Sequence, residues 1–346
     1  MKIGSHLIPD DGVYVIAEIS ANHGHSYELA CKTVEAIARS GANAVKLQTY
    51  RPDTITLDVD TPDFQTNSQG PWAGQSLYSL YEQAYTPWEW HGGLMKLANS
   101  LGLDLFSSPF DFTAVDFLTD LGVPAYKIAS FEITDIPLIA YVASRQKPII
   151  MSTGIADYED IQLAVETCRA AGNNDIALLK CTSSYPAPIG EANLSMLGRM
   201  AKDFNVKTGL SDHTLGITAP VVAVAMGATI IEKHFILDRS IGGPDAGFSL
   251  NETEFSEMVR AVRDAEEAVG TESYQLTEKQ MASKAYARSL YIAEDIKEGE
   301  LFTARNVKSV RPGLGLHPKY LHEVVGQTAT CDLSKGTRLS MKHYKN

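Results

Sequence analysis

PVVAVAMGATIIEKH, residues 220–234, carries the pattern from which the rest of the chain can be read. Its first half repeats apolar side chains as a helix does, Gly227 ends that run, and the apolar stretch after it closes on charged residues. The run is too short to span a bilayer and reads as helix, glycine turn and strand. Working outward, short runs rich in Val, Ile and Leu predict strands over 13–19, 44–49, 103–108, 125–129, 148–153, 176–182, 206–211 and 229–234. Most are continuous apolar runs, as expected for a parallel sheet covered on both faces. Between them lie helical patterns. Ser26 is placed to cap YELACKTVEAIARS and Gly41 to stop it, and similar patterns cover 88–101, 112–121, 135–145, 157–171, 192–204, 216–227 and 253–269. Eight strand–helix units in succession predict a (β/α)8 TIM barrel, and no G-x-G-x-x-G follows the first strand to favour a dinucleotide fold.

One connection is too long for this rhythm. Arg51 to Thr86 separates the second strand from its helix and is rich in Tyr and Trp, which argues against disorder. It is read as a lid or as one wall of a substrate pocket, or else as decoration packed on the outside of the barrel. The barrel is expected over 1–270, a polar linker over 271–284 and a small domain over 285–346. That last segment repeats a phrase, YIAEDIKEGELFTARNV (291–307) and ATCDLSKGTRLSMKHY (329–344), as expected of a turn-rich pseudo-repeat that docks on something else.

The chain has 346 residues and a formal charge of −12. That balance argues against nucleic acid or an anionic membrane as partner, because both demand a basic face. Cys31, Cys168, Cys181 and Cys331 show no C-x-x-C spacing, and their usage suits a reducing cytoplasm. The N-terminus MKIGSHLIPDDG lacks the apolar core of a signal peptide.

In such a barrel the site lies where the strands end. The strand ends here carry Glu18 with Asn22 and His23; Lys46 and Gln48; Ser107 and Ser108; Lys127 and Ser130; Ser152 and Thr153; Thr182, Ser183, Ser184 and Tyr185; Ser211, Asp212 and His213; and Glu232, Lys233 and His234. Polar residues at every strand end exceed what solvation explains. Lys46 and Lys127 fall inside strands, where an unpaired ammonium is costly, so each requires an anion: a carboxylate such as Glu18, or a bound oxyanion among the Ser and Thr hydroxyls. His213 and His234 end adjacent strands. With Asp245 in the next loop they suit a divalent ion such as Mn2+ more than a structural zinc, which would call for thiolates.

The motifs AEISANHG, GANAVKLQTY, FSSPF, AYKIASFE, LSDHT, EKHF and GPDAGFS occur in order along the chain. Together they resemble the sialic acid synthases, and the C-terminal segment resembles their antifreeze-like (SAF) domain. The resemblance implies condensation of phosphoenolpyruvate with an N-acetylated amino-sugar aldehyde, releasing phosphate. It implies that His213 and His234 hold a divalent metal, Mn2+ with Mg2+ or Co2+ as alternatives, and that Lys46, Ser108, Lys127, Ser130, Ser183 and Ser211 bind phosphoenolpyruvate. Ser183 stands where the family often has Asn. Glu18, Gln48, Tyr185 and Asp245 would face the sugar and the attacking water, with Asn22, Glu132 and Ser152 also lining the site. Arg311, in VRPGLG, matches an arginine that the family inserts into the partner subunit's site, which implies a domain-swapped homodimer. LYSLYEQAYTPWEWH and SDHTLGITAPVVAVAMGA resemble the branch that makes pseudaminic acid from a 2,4-diacetamido-2,4,6-trideoxy hexose, and Ala246 replaces the His of the family's G-P-D-H. The alternatives are a legionaminic or N-acetylneuraminic acid synthase and, more remotely, a sugar-binding protein without catalysis.

Overall fold

The computed structural model describes residues 1–66 and 73–344 and divides into two compact units, Met1–Gly270 and Thr271–Asn346. In the first, eight parallel strands close into a barrel: β1 Tyr14–Glu18, β2 Ala44–Thr49, β3 Asp104–Pro109, β4 Tyr126–Ile128, β5 Ile149–Ser152, β6 Ile176–Cys181, β7 Lys207–Asp212 and β8 Ile230–His234, with β8 paired to β1. The helices between them are α1 Tyr27–Ser40, α2 Trp88–Ser100, α3 Phe112–Leu121, α4 Ile136–Ala143, α5 Tyr158–Ala170, α6 Met196–Phe204, α7 Thr218–Ala225 and α8 Glu252–Val269. The first unit is the expected TIM barrel. The caps behave as their residues dictate. The Ser26 hydroxyl accepts from the Leu29 amide, and Gly41 adopts a φ of 83° that a side chain would resist.

Register sorts each strand into an inner and an outer face. Glu18 pairs with Lys46 and with His234, Lys46 with Phe106, Gln48 with Ser108, and Glu232 with Ser211, so these residues form inward layers. Gly209 belongs to the same face. A Cβ there would stand 2.3 Å from the Ile230 carbonyl and 2.7 Å from Leu179, so only glycine lets β6, β7 and β8 close. A feature the sequence reading did not anticipate lies before the first strand. Lys2–Ile3 and His6–Leu7 form a small hairpin whose Ile3 and neighbouring Ile8 are buried. Beside it, Asp104 accepts from Tyr14 (2.7 Å) and lies 3.2 Å from His6.

The second unit has its own core of Leu290, Ile292, Phe302, Val307 and Leu339 around β9 Ser289–Ile292 and β10 Val307–Val310. Its repeated phrases face one another. Ile296 and Leu333 exchange both backbone hydrogen bonds (2.9 and 2.8 Å). Asp295 accepts from the Lys335 amide, and its counterpart Asp332 accepts from the Glu298 amide. The stretch read as a linker contains a short helix, Glu278–Ser283, capped by Thr277.

Candidate active site

A cavity of about 800 Å³ opens at the C-terminal ends of the barrel strands. Lys46, Gln48, Lys127, Ser130, Glu132, Ser152, Ser183, Tyr185, Ser211, His213, His234 and Asp245 all line it. Asn22, Ser108, Glu18 and Arg311 do not. Asn22 is fully buried and donates to the Phe235 carbonyl and to Ser249, both at 2.9 Å, so it ties the loop after β8 to the loop after β1. Ser108 turns inward with Gln48, but its hydroxyl is buried without a hydrogen-bond partner. Glu18 lies against Lys46, and Arg311 belongs to the second unit.

Not every charged strand end faces the cavity. Asp212 and Lys233 follow the inward Ser211 and Glu232, so the pleat points them outward, where they pair in the wall of the barrel. Facing in, the Lys46 ammonium contacts Glu18 and lies 3.6 Å from Glu232, which is 3.8 Å from Lys127. Lys127 donates to Ser152 (2.7 Å) and to the Ile128 carbonyl (2.9 Å). Burial pushes the Glu18 carboxyl up to about 7 against the pull of Lys46. Burial also opposes charge on Lys46, but Glu18 and Glu232 outweigh it and hold the ammonium above its ordinary value. Lys127 falls below its ordinary value because burial dominates. Glu232 is buried as well, yet the two lysines and the Ser211 hydroxyl keep it below the usual carboxylate range.

Beside this cluster the Ser130 and Ser183 hydroxyls meet at 2.9 Å. They can do so because residue 154 is glycine: a Cβ there would lie 2.2 Å from the Ser183 oxygen and 2.6 Å from that of Ser130. Two ammonium groups, three serines and a hollow that a methyl would fill make a cradle for an oxyanion.

At the other side the His213 and His234 rings stand 5.3 Å apart. His213 Nδ1 lies 3.0 Å from the Thr182 carbonyl, which can only accept, so the proton sits on Nδ1 and Nε2 keeps its lone pair. His234 Nδ1 is buried without a hydrogen bond, with Asp245 3.8 Å away. Burial lowers both imidazoles below their ordinary value and keeps them neutral, the form that binds a metal. Two such donors fit a divalent ion that completes its shell with substrate and water. Among the described residues no group of three or more His, Cys, Asp or Glu forms a fuller cage. Asp245 is raised by burial, with Ser20 and the Ala21 amide opposing. Glu132 is raised by burial to about 7.

The reading from sequence placed Glu232 at the rim but gave it no role, although alternation from His234 puts it on the same face. It also gave no role to Tyr50 or Cys181, which line the cavity. The long loop supplies a wall through an eight-residue helix, Leu77–Ala84. The part of that loop read as GPW, residues 70–72, lies outside the described residues. No helix among the described residues is long and apolar enough to cross a membrane.

The chain matches the NeuB family over residues 33–274 and the SAF domain over 287–345. It is 46% identical over 345 residues to pseudaminic acid synthase of Campylobacter jejuni, covering 100% of both chains. To N,N'-diacetyllegionaminic acid synthase of Legionella pneumophila it is 36% identical, covering 95% of this chain and 94% of that one. Among solved structures it is similar to the spore coat polysaccharide biosynthesis protein spsE of Bacillus subtilis, with a TM-score of 0.68 and 32% identity over 100% of this chain and 99% of that one.

Proposed function

The chain belongs to the NeuB family, and from that premise we propose that it is a pseudaminic acid synthase, condensing phosphoenolpyruvate with a 2,4-diacetamido-2,4,6-trideoxy hexose. The observation that carries this reading is the 46% identity, end to end, with pseudaminic acid synthase of Campylobacter jejuni, against 36% with the legionaminic acid enzyme.

The geometry supports the chemistry. Lys46, Lys127 and the Ser130–Ser183 pair bind the phosphate, while Gln48, Glu132, Tyr185 and Asp245 meet the sugar. The buried Glu132 Oε2 has no partner and is ready to accept a hydrogen bond. His213 and His234 would hold a divalent ion, Mn2+ in preference to Mg2+ or Co2+, which when bound supplies Lewis acidity toward the sugar carbonyl. C3 of phosphoenolpyruvate attacks the aldehyde carbon, and water adds to the electron-poor C2 that results. Phosphate draws the Lys46 ammonium aside, and Glu18, with its value near 7, takes the proton of that water. The C2 hydroxyl then gives up its proton to the departing phosphate as C2=O forms and the C2–O bond to phosphate breaks. Lys46 and Lys127 stabilise that anion, and the proton taken by Glu18 passes on to the alkoxide left by the aldehyde. Water, phosphoenolpyruvate and aldehyde give one nine-carbon α-keto acid and one inorganic phosphate.

The resemblance further supports a domain-swapped homodimer in which Arg311 completes the partner subunit's site, and the free thiols suit the cytoplasm. A solution mass equal to a monomer with full activity would contradict the swap. The function itself is tested by identifying the product from phosphoenolpyruvate, Mn2+ and a panel of acetamido sugars. Pseudaminic acid from the diacetamido trideoxy hexose is expected, and turnover of N-acetylmannosamine alone would reassign the enzyme.

A further inference from the structure

The cavity is chemically two-sided. Its strand-end floor is charged and hydroxylated, whereas Leu77, Leu80 and Ala84 present an apolar wall from the long loop. These three stand three and four residues apart and so share one face of the helix Leu77–Ala84, with Leu80 only 9% exposed. Tyr81 on the same helix packs edge-on to Tyr50 (5.6 Å), which in turn meets Phe110 (5.1 Å). The wall is held at its base as well as packed. Ser76 caps the helix by accepting from the Ser79 amide, Gln65 bridges to Ser76, and the Thr66 amide donates to the Gln75 carbonyl at 3.0 Å. A fixed apolar face opposite a polar floor is a device for choosing substituents.

We propose that Leu77, Leu80 and Ala84 form the subsite for the C6 methyl of the sugar and select 6-deoxy over 6-hydroxy substrates. This inference rests on the function proposed above. The reacting carbon, C1, must lie on the floor among Lys46, His213 and His234. The six-carbon chain therefore directs its far end away from the strand ends and into the layer of loops. There a methyl group gains contact, whereas a hydroxyl loses water without finding a partner on leucine or alanine side chains. Apolar pockets discriminate against an added hydroxyl by about 10- to 100-fold.

The test compares kcat/KM for the 2,4-diacetamido-2,4,6-trideoxy hexose and for its 6-hydroxy counterpart. The wild-type protein is expected to favour the deoxy sugar by about tenfold or more. Leu80→Asn brings the ratio close to unity, Ala84→Ser lowers it partway, and Leu80→Met retains it, all with the KM for phosphoenolpyruvate unchanged. A loop that is merely loosened lowers both sugars alike and leaves the ratio intact. Equal use of the two sugars by the wild-type protein, or a ratio that survives in both Leu80→Asn and Ala84→Ser, overturns the inference. Turnover of N-acetylmannosamine with neither diacetamido sugar would instead overturn the reading on which it rests.

Discussion

Neighbouring residues of the same two strands build two very different groups of buried charge. Ser211 and Glu232 face the cavity and join Lys46, Lys127 and Glu18, while Asp212 and Lys233, one residue further along, face outward. The outward pair is saturated. Lys233 donates to Asp212 and, at 2.5 Å, to the Thr214 carbonyl, and Asp212 also accepts from the Thr214 amide at 3.0 Å. The inward group is left incomplete: Glu232 Oε2 has no hydrogen bond, and burial holds Glu18 near 7. Full satisfaction is what a structural ion pair requires, and incompleteness is what a ligand can relieve.

Substitution can break this contrast. Lys46→Met or Lys127→Met is expected to lower kcat/KM by about a thousandfold with a smaller loss of stability. Glu232 keeps the other ammonium in either variant, and Glu18, with its value near 7, can take up a proton. Lys233→Met should do the reverse. It leaves Asp212 buried and unpaired, with a loss of about 3–5 kcal/mol in denaturant unfolding and a KM for phosphoenolpyruvate within a few-fold of normal. Equal losses of stability from all three variants would erase the distinction.

Next in size is the metal side. A chelator is expected to stop turnover and added Mn2+ to restore it, and His213→Ala or His234→Ala should weaken Mn2+ binding by about 100-fold or more in a calorimetric titration. A smaller effect follows at the anion cradle. Gly154→Ala places a methyl where Ser130 and Ser183 meet and should raise the KM for phosphoenolpyruvate about tenfold with kcat nearly unchanged. The smallest concerns pH. Glu18 has a folded value of about 7 against 4.5 for the free group, so its contribution to stability is complete below 4.5 and is lost as the pH rises through about 7. Glu18→Gln removes that slope. The same ionisation should make kcat/KM climb through about pH 7 in the wild type, a limb that Glu18→Gln lacks.

The eight strands were legible because a parallel sheet buried on both faces favours apolar runs such as YVIA (14–17) and IALL (176–179). The N-terminal hairpin was not, because two-residue strands around Gly4 carry no periodicity. The helix Leu77–Ala84 was hidden in a long aromatic loop, since eight residues hold little more than two turns of pattern. Within the site, residue type marked Lys46, Lys127, His213 and His234, but only register separates Glu232 from Lys233 and Ser211 from Asp212. Asn22 entered because an amide stands beyond a strand end, and its nitrogen donates to the Phe235 carbonyl and to Ser249, partners that only the fold brings near it. Arg311 entered through resemblance alone, because nothing in barrel geometry points to a residue of a separate unit.

The inward cluster is held to be a phosphoenolpyruvate site that breaks the C2–O bond, and following the bridging oxygen tests that most directly. Phosphoenolpyruvate labelled in that oxygen is condensed with the diacetamido trideoxy hexose, and both products are weighed by mass spectrometry. The label is expected entirely in inorganic phosphate, with the nine-carbon keto acid unlabelled. Label retained in the keto acid would mean that the P–O bond breaks instead, and would contradict the roles given to Lys46, Lys127 and Glu18.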